Sequence, residues 1–195
     1  MEELKIALKI TKEKNLRGKF DQVARTINIQ VSKLQNQYNN IQRKEQTYYS
    51  KVISAIKEGD RQRAAIYSNE VAEVRKALKS INQSKLVLEQ IGLRLNTVKD
   101  IGDIVTALAP ANNLIQSIKS SMSTIVPTAG NEMDSLQDMM TGVLVDATQS
   151  GAVGIDMNAA SDEAAKILQE VESQVQRETE IQLPSAPDAP EAIGV

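Results

Sequence analysis

The chain has no cysteine and no histidine among its 195 residues. That excludes a disulfide framework, thiol chemistry and histidine-ligated metal. It also excludes the Ser-His-Asp and Cys-His arrangements of nucleophilic catalysis. The Glu-x-x-His motif of di-metal helix bundles cannot be built without histidine. Neither GxxxxGK[ST] nor GxGxxG occurs, so nothing points to nucleotide binding. Close acidic pairs such as Asp162 and Glu163 are accounted for by the start of a helix, where negative charge is favoured. The expectation is therefore no enzyme and no cofactor. Tryptophan is also missing, and there is one phenylalanine and four tyrosines, too few to fill a thick core or to stack single-stranded bases. No run of about 18 apolar residues occurs, so no segment spans a bilayer as a helix. The opening stretch, MEELKIALKITKEKNLRGKF, lacks the uninterrupted apolar segment of a secretory signal. A soluble or peripheral, cytoplasmic protein is expected.

What the chain does contain is a charge division. Residues 1–99 carry 20 Lys and Arg against 10 Asp and Glu, whereas residues 100–195 carry 3 against 15, so a +10 half precedes a −12 half. The basic half can face an anionic membrane or nucleic acid, and the acidic half can fold back and mask it. No nucleic-acid recognition motif accompanies the basic half.

Helical periodicity dominates. From Phe20 to Ala55 a seam runs through Phe20, Ala24, Ile27, Val31, Leu34, Tyr38, Ile41, Glu45, Tyr48, Val52 and Ala55 in alternating steps of four and three. This is the spacing of a stripe buried against a second helix, and only Glu45 is strongly polar. Gly59 suits the residue after a helix end, and Asp60 suits the cap of the next helix. A second stripe then runs Tyr67, Val71, Val74, Leu78, Ile81, Leu88, Ile91, Leu95, Val98, Ile101, Val105 and Leu108, and is expected to end at Ala109 and Pro110. The spacing thus predicts a long antiparallel hairpin over 20–108, with Ile27, Val31, Leu34, Ile41, Val71, Val74, Leu78 and Ile81 at its core.

Shorter helices follow, completing an all-α core over 20–149. One presents Leu114, Ile118, Met122 and Ile125 and ends at Pro127. The next presents Met133, Leu136, Met140, Val143 and Leu144. A flexible linker is expected over 150–160, then a short acidic helix over 161–179 capped by Ser161, with Ala164, Leu168, Val171 and Val175 on its apolar face. Residues 180–195 form a tail in which Pro184, Pro187 and Pro190 recur every third residue, the repeat of a polyproline II helix. The first 19 residues allow alternatives. Leu4, Ile6, Leu8 and Ile10 alternate like a strand. The same stretch makes a basic amphipathic helix, and it also suits a disordered basic arm. Lys5, Lys9, Lys12, Lys14, Arg17 and Lys19 are the candidate membrane contacts.

The segment IKEGDRQRAAIYSNEVAEVRK, residues 56–76, resembles the turn between helices 1 and 2 in the ESCRT-III family. Lys57, Gly59, Ala64, Ala65, Ile66, Tyr67 and Arg75 stand at matching places. The order of a basic hairpin, shorter helices, an acidic half, a linker and a Pro-containing tail is similar too. The ALAP and IVP region resembles the archaeal CdvB-type cell-division members. The resemblance implies a membrane-remodelling filament subunit acting in constriction or scission. It would switch from closed monomer to open polymer on the inner face of an anionic membrane, at the division site. It further implies partners: copies of itself, paralogous subunits, and an AAA ATPase whose MIT domain would grip Leu183, Pro184, Pro187 and Pro190. Two departures stand out. The last helix lacks the Leu-rich MIT-binding pattern with an internal Arg, since Arg177 comes too late, and no winged-helix segment follows. Two alternatives stay open: a basic coiled-coil protein associated with nucleic acid through the basic hairpin, and a membrane stress scaffold that the long hairpin makes similar to phage-shock proteins.

Overall fold

The computed structural model describes residues 2–99, 101–149 and 157–182. Five helices and no strand occur among them: α1 (Glu2–Lys57), α2 (Arg61–Asn96), α3 (Ile101–Ile125), α4 (Pro127–Gln149) and α5 (Met157–Gln182). The fold is all-α. Helices α1 and α2 form the antiparallel hairpin, α3 and α4 a second antiparallel pair laid against it, and α5 lies across α2 and α3.

α1 runs without interruption for 56 residues, about 84 Å at 1.5 Å per residue. Its length follows from the absence of proline and the presence of a single glycine, Gly18, before the turn. Residues 2–19 are therefore part of α1, among the alternatives the sequence leaves open. The chain reverses at Gly59, whose φ of +75° is the left-handed conformation that glycine adopts without a Cβ clash. Asp60 N bonds Ala55 O at 2.9 Å and Gly59 N bonds Ile56 O at 3.1 Å, closing the last carbonyls of α1. The Asp60 carboxylate then accepts from Arg63 N at 2.9 Å and caps α2.

The expected hairpin span of 20–108 is divided. α2 ends at Asn96, residues 97–99 leave the helix, and α3 begins at Ile101. Pro110 does not end a helix but sits inside α3. Its ring is buried in the core layer, so packing offsets the missing N–H bond. α3 and α4 are joined by Val126 alone, with Pro127 at the first position of α4, where its missing N–H has no intrahelical partner to lose. The turn brings α4 very close to α3. A Cβ on Gly130 would stand 3.0 Å from Ser123 Cβ and 3.2 Å from its Cα, so glycine is required for this approach. α5 begins at Met157, four residues before Ser161, which lies inside the helix rather than capping it.

The core is one apolar cluster running from Leu16 to Leu34 on α1, through Ile81 to Leu95 on α2, and on through α3, α4 and α5. Leu114, Met122, Met133, Leu136 and Met140 are fully enclosed in it. The buried side chains near the hairpin turn, Val52, Ala55, Ala64 and Val71, stand apart from this cluster. The hairpin thus ends in a two-helix finger, with a seam of small residues. Ile27, Leu34, Val71, Leu78 and Ile81 are buried, and Val31, Ile41 and Val74 are half-buried.

Candidate functional site

Two sets of residues carry the chemistry of this chain: the basic face of the hairpin and the acidic layer that rests on it. Lys19 on α1 meets Asp146 on α4 at 2.6 Å, and Lys33 meets Glu132 at 2.5 Å. On α2, Arg94 pairs with Glu163 of α5, and Asn82 Nδ2 donates to Glu178 Oε2 at 2.8 Å. α4 therefore lies antiparallel to α1 and α5 antiparallel to α2, each tied at two levels. The three ion pairs sit at the rim, half open to water, where each contributes about 0.2–1 kcal/mol and weakens with salt. The larger contribution is apolar. α5 buries Ala164, Ile167, Val171 and Val175, and α4 buries Met133, Leu136, Met140 and Val143. Full burial of a side chain such as Val or Ile contributes about 1.5–3 kcal/mol before ordering entropy is subtracted.

Glu178 shows how α5 is held. Its carboxylate accepts from Gln174 Nε2 at 3.0 Å as well as from Asn82. These hydrogen bonds, with a smaller contribution from the charge of Lys85, hold it below the usual carboxylate range against a modest desolvation. Tyr38, facing Glu178 and Glu45, is pushed above its ordinary value by burial first and by the two carboxylates second. A depressed carboxyl stabilises the docked state above its unfolded value and loses that contribution as pH falls through the folded value. α5 is therefore expected to loosen on acidification below about pH 4.5, and Glu178→Gln is expected to flatten that dependence. Hydrogen exchange of the α5 amides across this range checks it; an unchanged acid profile in the variant would count against the contact.

The seam also contains a buried charge pair. Glu45, buried at 6 % exposure, accepts from Arg75 Nε at 2.9 Å across the hairpin. Arg75 also lies 5.9 Å from the ring centroid of Tyr49. Sequence periodicity marks Glu45 as an anomaly but does not name Arg75 as its partner. It also misses Ile167, which is buried while Leu168 beside it is only partly so. The signal was available: Ala160, Ala164, Ile167, Val171 and Val175 follow steps of three and four.

Of the basic candidates near the N-terminus, Lys12, Lys14, Arg17 and Lys19 are exposed on α1. Lys5 and Lys9 fall on its first turns, and their side chains lie outside what the structure describes. Arg17 does not point freely into solvent. Its Nη1 donates to Lys99 O at 2.8 Å and its Nη2 to Val98 O at 3.4 Å, in the bend between α2 and α3. Leu183, Pro184, Pro187 and Pro190 lie outside the described residues. Among the described residues no group of Asp and Glu could hold a metal ion, and no helix is long and apolar enough to cross a membrane.

The sequence pattern of the Snf7 family matches residues 22–191. The chain is 31% identical over 184 residues to cell division protein B1 of Sulfolobus acidocaldarius, covering 93% of this chain and 86% of that protein. It is 24% identical over 161 residues to cell division protein B of the same organism, covering 83% of this chain and 62% of the relative. No solved structure matches.

Proposed function

This chain belongs to the Snf7 (ESCRT-III) family, and from that premise we propose that it is a polymer-forming scaffold that remodels membrane in cell division. In solution the chain is closed, and on an anionic membrane it opens and joins copies of itself and paralogous subunits. The observation that carries this is the seating of the acidic layer on the basic hairpin through Lys19–Asp146, Lys33–Glu132 and Arg94–Glu163. Cations committed to internal carboxylates are the ones an anionic leaflet would attract, so membrane and acidic layer compete for one face. The break in the helix at 97–99 supports a second arrangement. The apolar stripe continues through it, Leu95, Val98, Ile101, Val105 and Leu108, and residues 97–100 include neither glycine nor proline. In the open form α2 and α3 run as a single helix.

The chain works peripherally, on the inner face of the membrane at the division site. Disassembly falls to an AAA ATPase whose MIT domain grips the tail at Leu183, Pro184, Pro187 and Pro190. A polyproline strip is pre-ordered and loses little entropy on docking. The test is sedimentation of the full chain with anionic and neutral vesicles, with negative-stain microscopy of the pellets. Filaments or coats are expected on anionic vesicles and fewer at high salt. Monomer alone under every condition would remove the proposal. A peptide of residues 180–195 that fails to bind the ATPase's MIT domain would remove the tail's role and leave the rest standing.

A further inference from the structure

A groove of about 740 Å³ runs beside the α2–α3 bend, lined by Ile10, Glu13, Lys14, Arg17, Gly18, Asp21 and Lys99. Ile10, Lys14, Arg17 and Asp21 are four and three residues apart, so they form one stripe on α1. Three cations face two carboxylates here, which leaves the groove with a positive excess. Lys14 and Lys99 have no ion-pair partner among the described residues, whereas Arg17 stands 3.8 Å from Asp21 and holds the two junction carbonyls. Gly18 leaves the wall open, since a Cβ there would meet nothing within 4 Å. Ile10 is 57% exposed at the lip.

The bend depends on side chains. No residue from 97 to 99 has a positive φ, and Thr97 is helical at φ −87°. The Arg17 fork on the carbonyls of Val98 and Lys99 ties the junction to α1, Asp103 Oδ2 accepts from Lys99 N at 3.2 Å, and Val98 is buried in the core. Those carbonyls are neutral acceptors. A phosphate oxygen is charged, and a guanidinium bonds it more strongly, through two parallel N–H donors.

We infer that Arg17 is shared between two partners: it clamps the α2–α3 junction in the closed chain and is given up to a phosphate group taken into this groove by Lys14 and Lys99. Arg17 then acts as a positioning residue that links phosphate binding to release of the bend. This rests on the membrane proposal above and names the chemistry through which the membrane would act. The phosphate belongs to an anionic lipid headgroup or to a soluble phosphate, and the arms of the test separate the two.

The test is hydrogen exchange of the amides of residues 98–104 in the full chain, with phosphatidylglycerol vesicles, with phosphatidylcholine vesicles and with inorganic phosphate, alongside vesicle sedimentation. In the wild type, phosphatidylglycerol is expected to speed exchange at the junction. Release by inorganic phosphate alone would support the same exchange and assign the source to soluble phosphate. Arg17→Lys keeps the charge but loses the fork, so its junction is expected to exchange quickly before any lipid is added, with vesicle binding largely kept. Lys14→Gln/Lys99→Gln keeps the clamp and is expected to bind anionic vesicles about tenfold more weakly. All three positions are exposed, and far-UV circular dichroism checks that the variants stay helical. Wild-type binding to vesicles with an unchanged junction would overturn the shared role of Arg17 alone. A Lys14/Lys99 variant that binds and responds as the wild type does would overturn the groove. Absence of vesicle binding by the wild type would overturn the membrane proposal as well.

Discussion

Arg75→Met is expected to destabilise the chain by about 3 kcal/mol in urea unfolding, and Glu45→Leu/Arg75→Met to recover most of that loss. The side chains are 17% and 8% exposed, so the pair sits in the seam and not on its rim. Removing Arg75 leaves a carboxylate enclosed between two helices with its cross-hairpin cation gone, and an uncompensated buried charge is far more costly than a missing contact. Removing both charges and filling the space with apolar atoms relieves the desolvation that the pair had to overcome. The stripe then reads as apolar from Phe20 to Ala55. A single variant that loses less than about 1 kcal/mol would show that water reaches Glu45. A double variant no better than the single would show that the pair contributes net stability. If the pair sets hairpin register, as polar residues in coiled-coil seams can, the double variant should unfold with lower cooperativity.

Glu132→Lys/Glu163→Lys/Asp146→Lys is expected to bind anionic vesicles at least about a hundredfold more tightly than the wild type and to assemble at lower protein concentration. The three reversals of two charges each move the formal net charge from −2 to +4, and they turn three attractive rim contacts into repulsive ones. Charge alone would raise binding without opening, so a matched variant is needed. Asp138, Asp162 and Glu172 are exposed and make none of the ion pairs described, and reversing them changes net charge equally. The matched variant is expected to bind better yet remain compact in small-angle scattering, while the rim variant expands. Equal compactness of the two would show that apolar burial alone keeps the layer seated, and that the ion pairs do not govern opening.

The heptad stripe of α1 and the turn at Gly59 and Asp60 were legible because each rests on local chemistry. A stripe declares that it must be covered, and a glycine next to an aspartate declares a reversal. The stripe does not declare which helix covers it. For this reason the second helix read as continuous to Leu108: Leu95, Val98, Ile101, Val105 and Leu108 keep helical spacing across a junction that Arg17, 82 residues before Lys99, ties to α1. Pro110 misled in the opposite direction, since the rule that proline ends helices is a rule about backbone bonds, and tertiary burial overrides it here. Glu45 was visible as an exception, but its partner lies 30 residues away on another helix. The rim pairs were legible only as a +10 half and a −12 half, without addresses.

The turn at Gly59 also fixes the order in which the hairpin can close. Moving away from the turn, partners grow farther apart along the chain: Glu45 and Arg75 are 30 residues apart, Lys85 and Gln35 are 50, and Arg17 and Lys99 are 82. The entropy of closing a loop rises with its length, though slowly, and contacts already made shorten the loop left to close. The hairpin therefore zips from its tip. Local pairing makes this fast for an all-helical chain, and the finger, built among the described residues from α1 and α2, can form first. Of these three contacts, the clamp at the α2–α3 junction joins the most distant partners and is the last to engage. In reverse it is the first contact to yield, so the chain can open at its base while the finger stays paired.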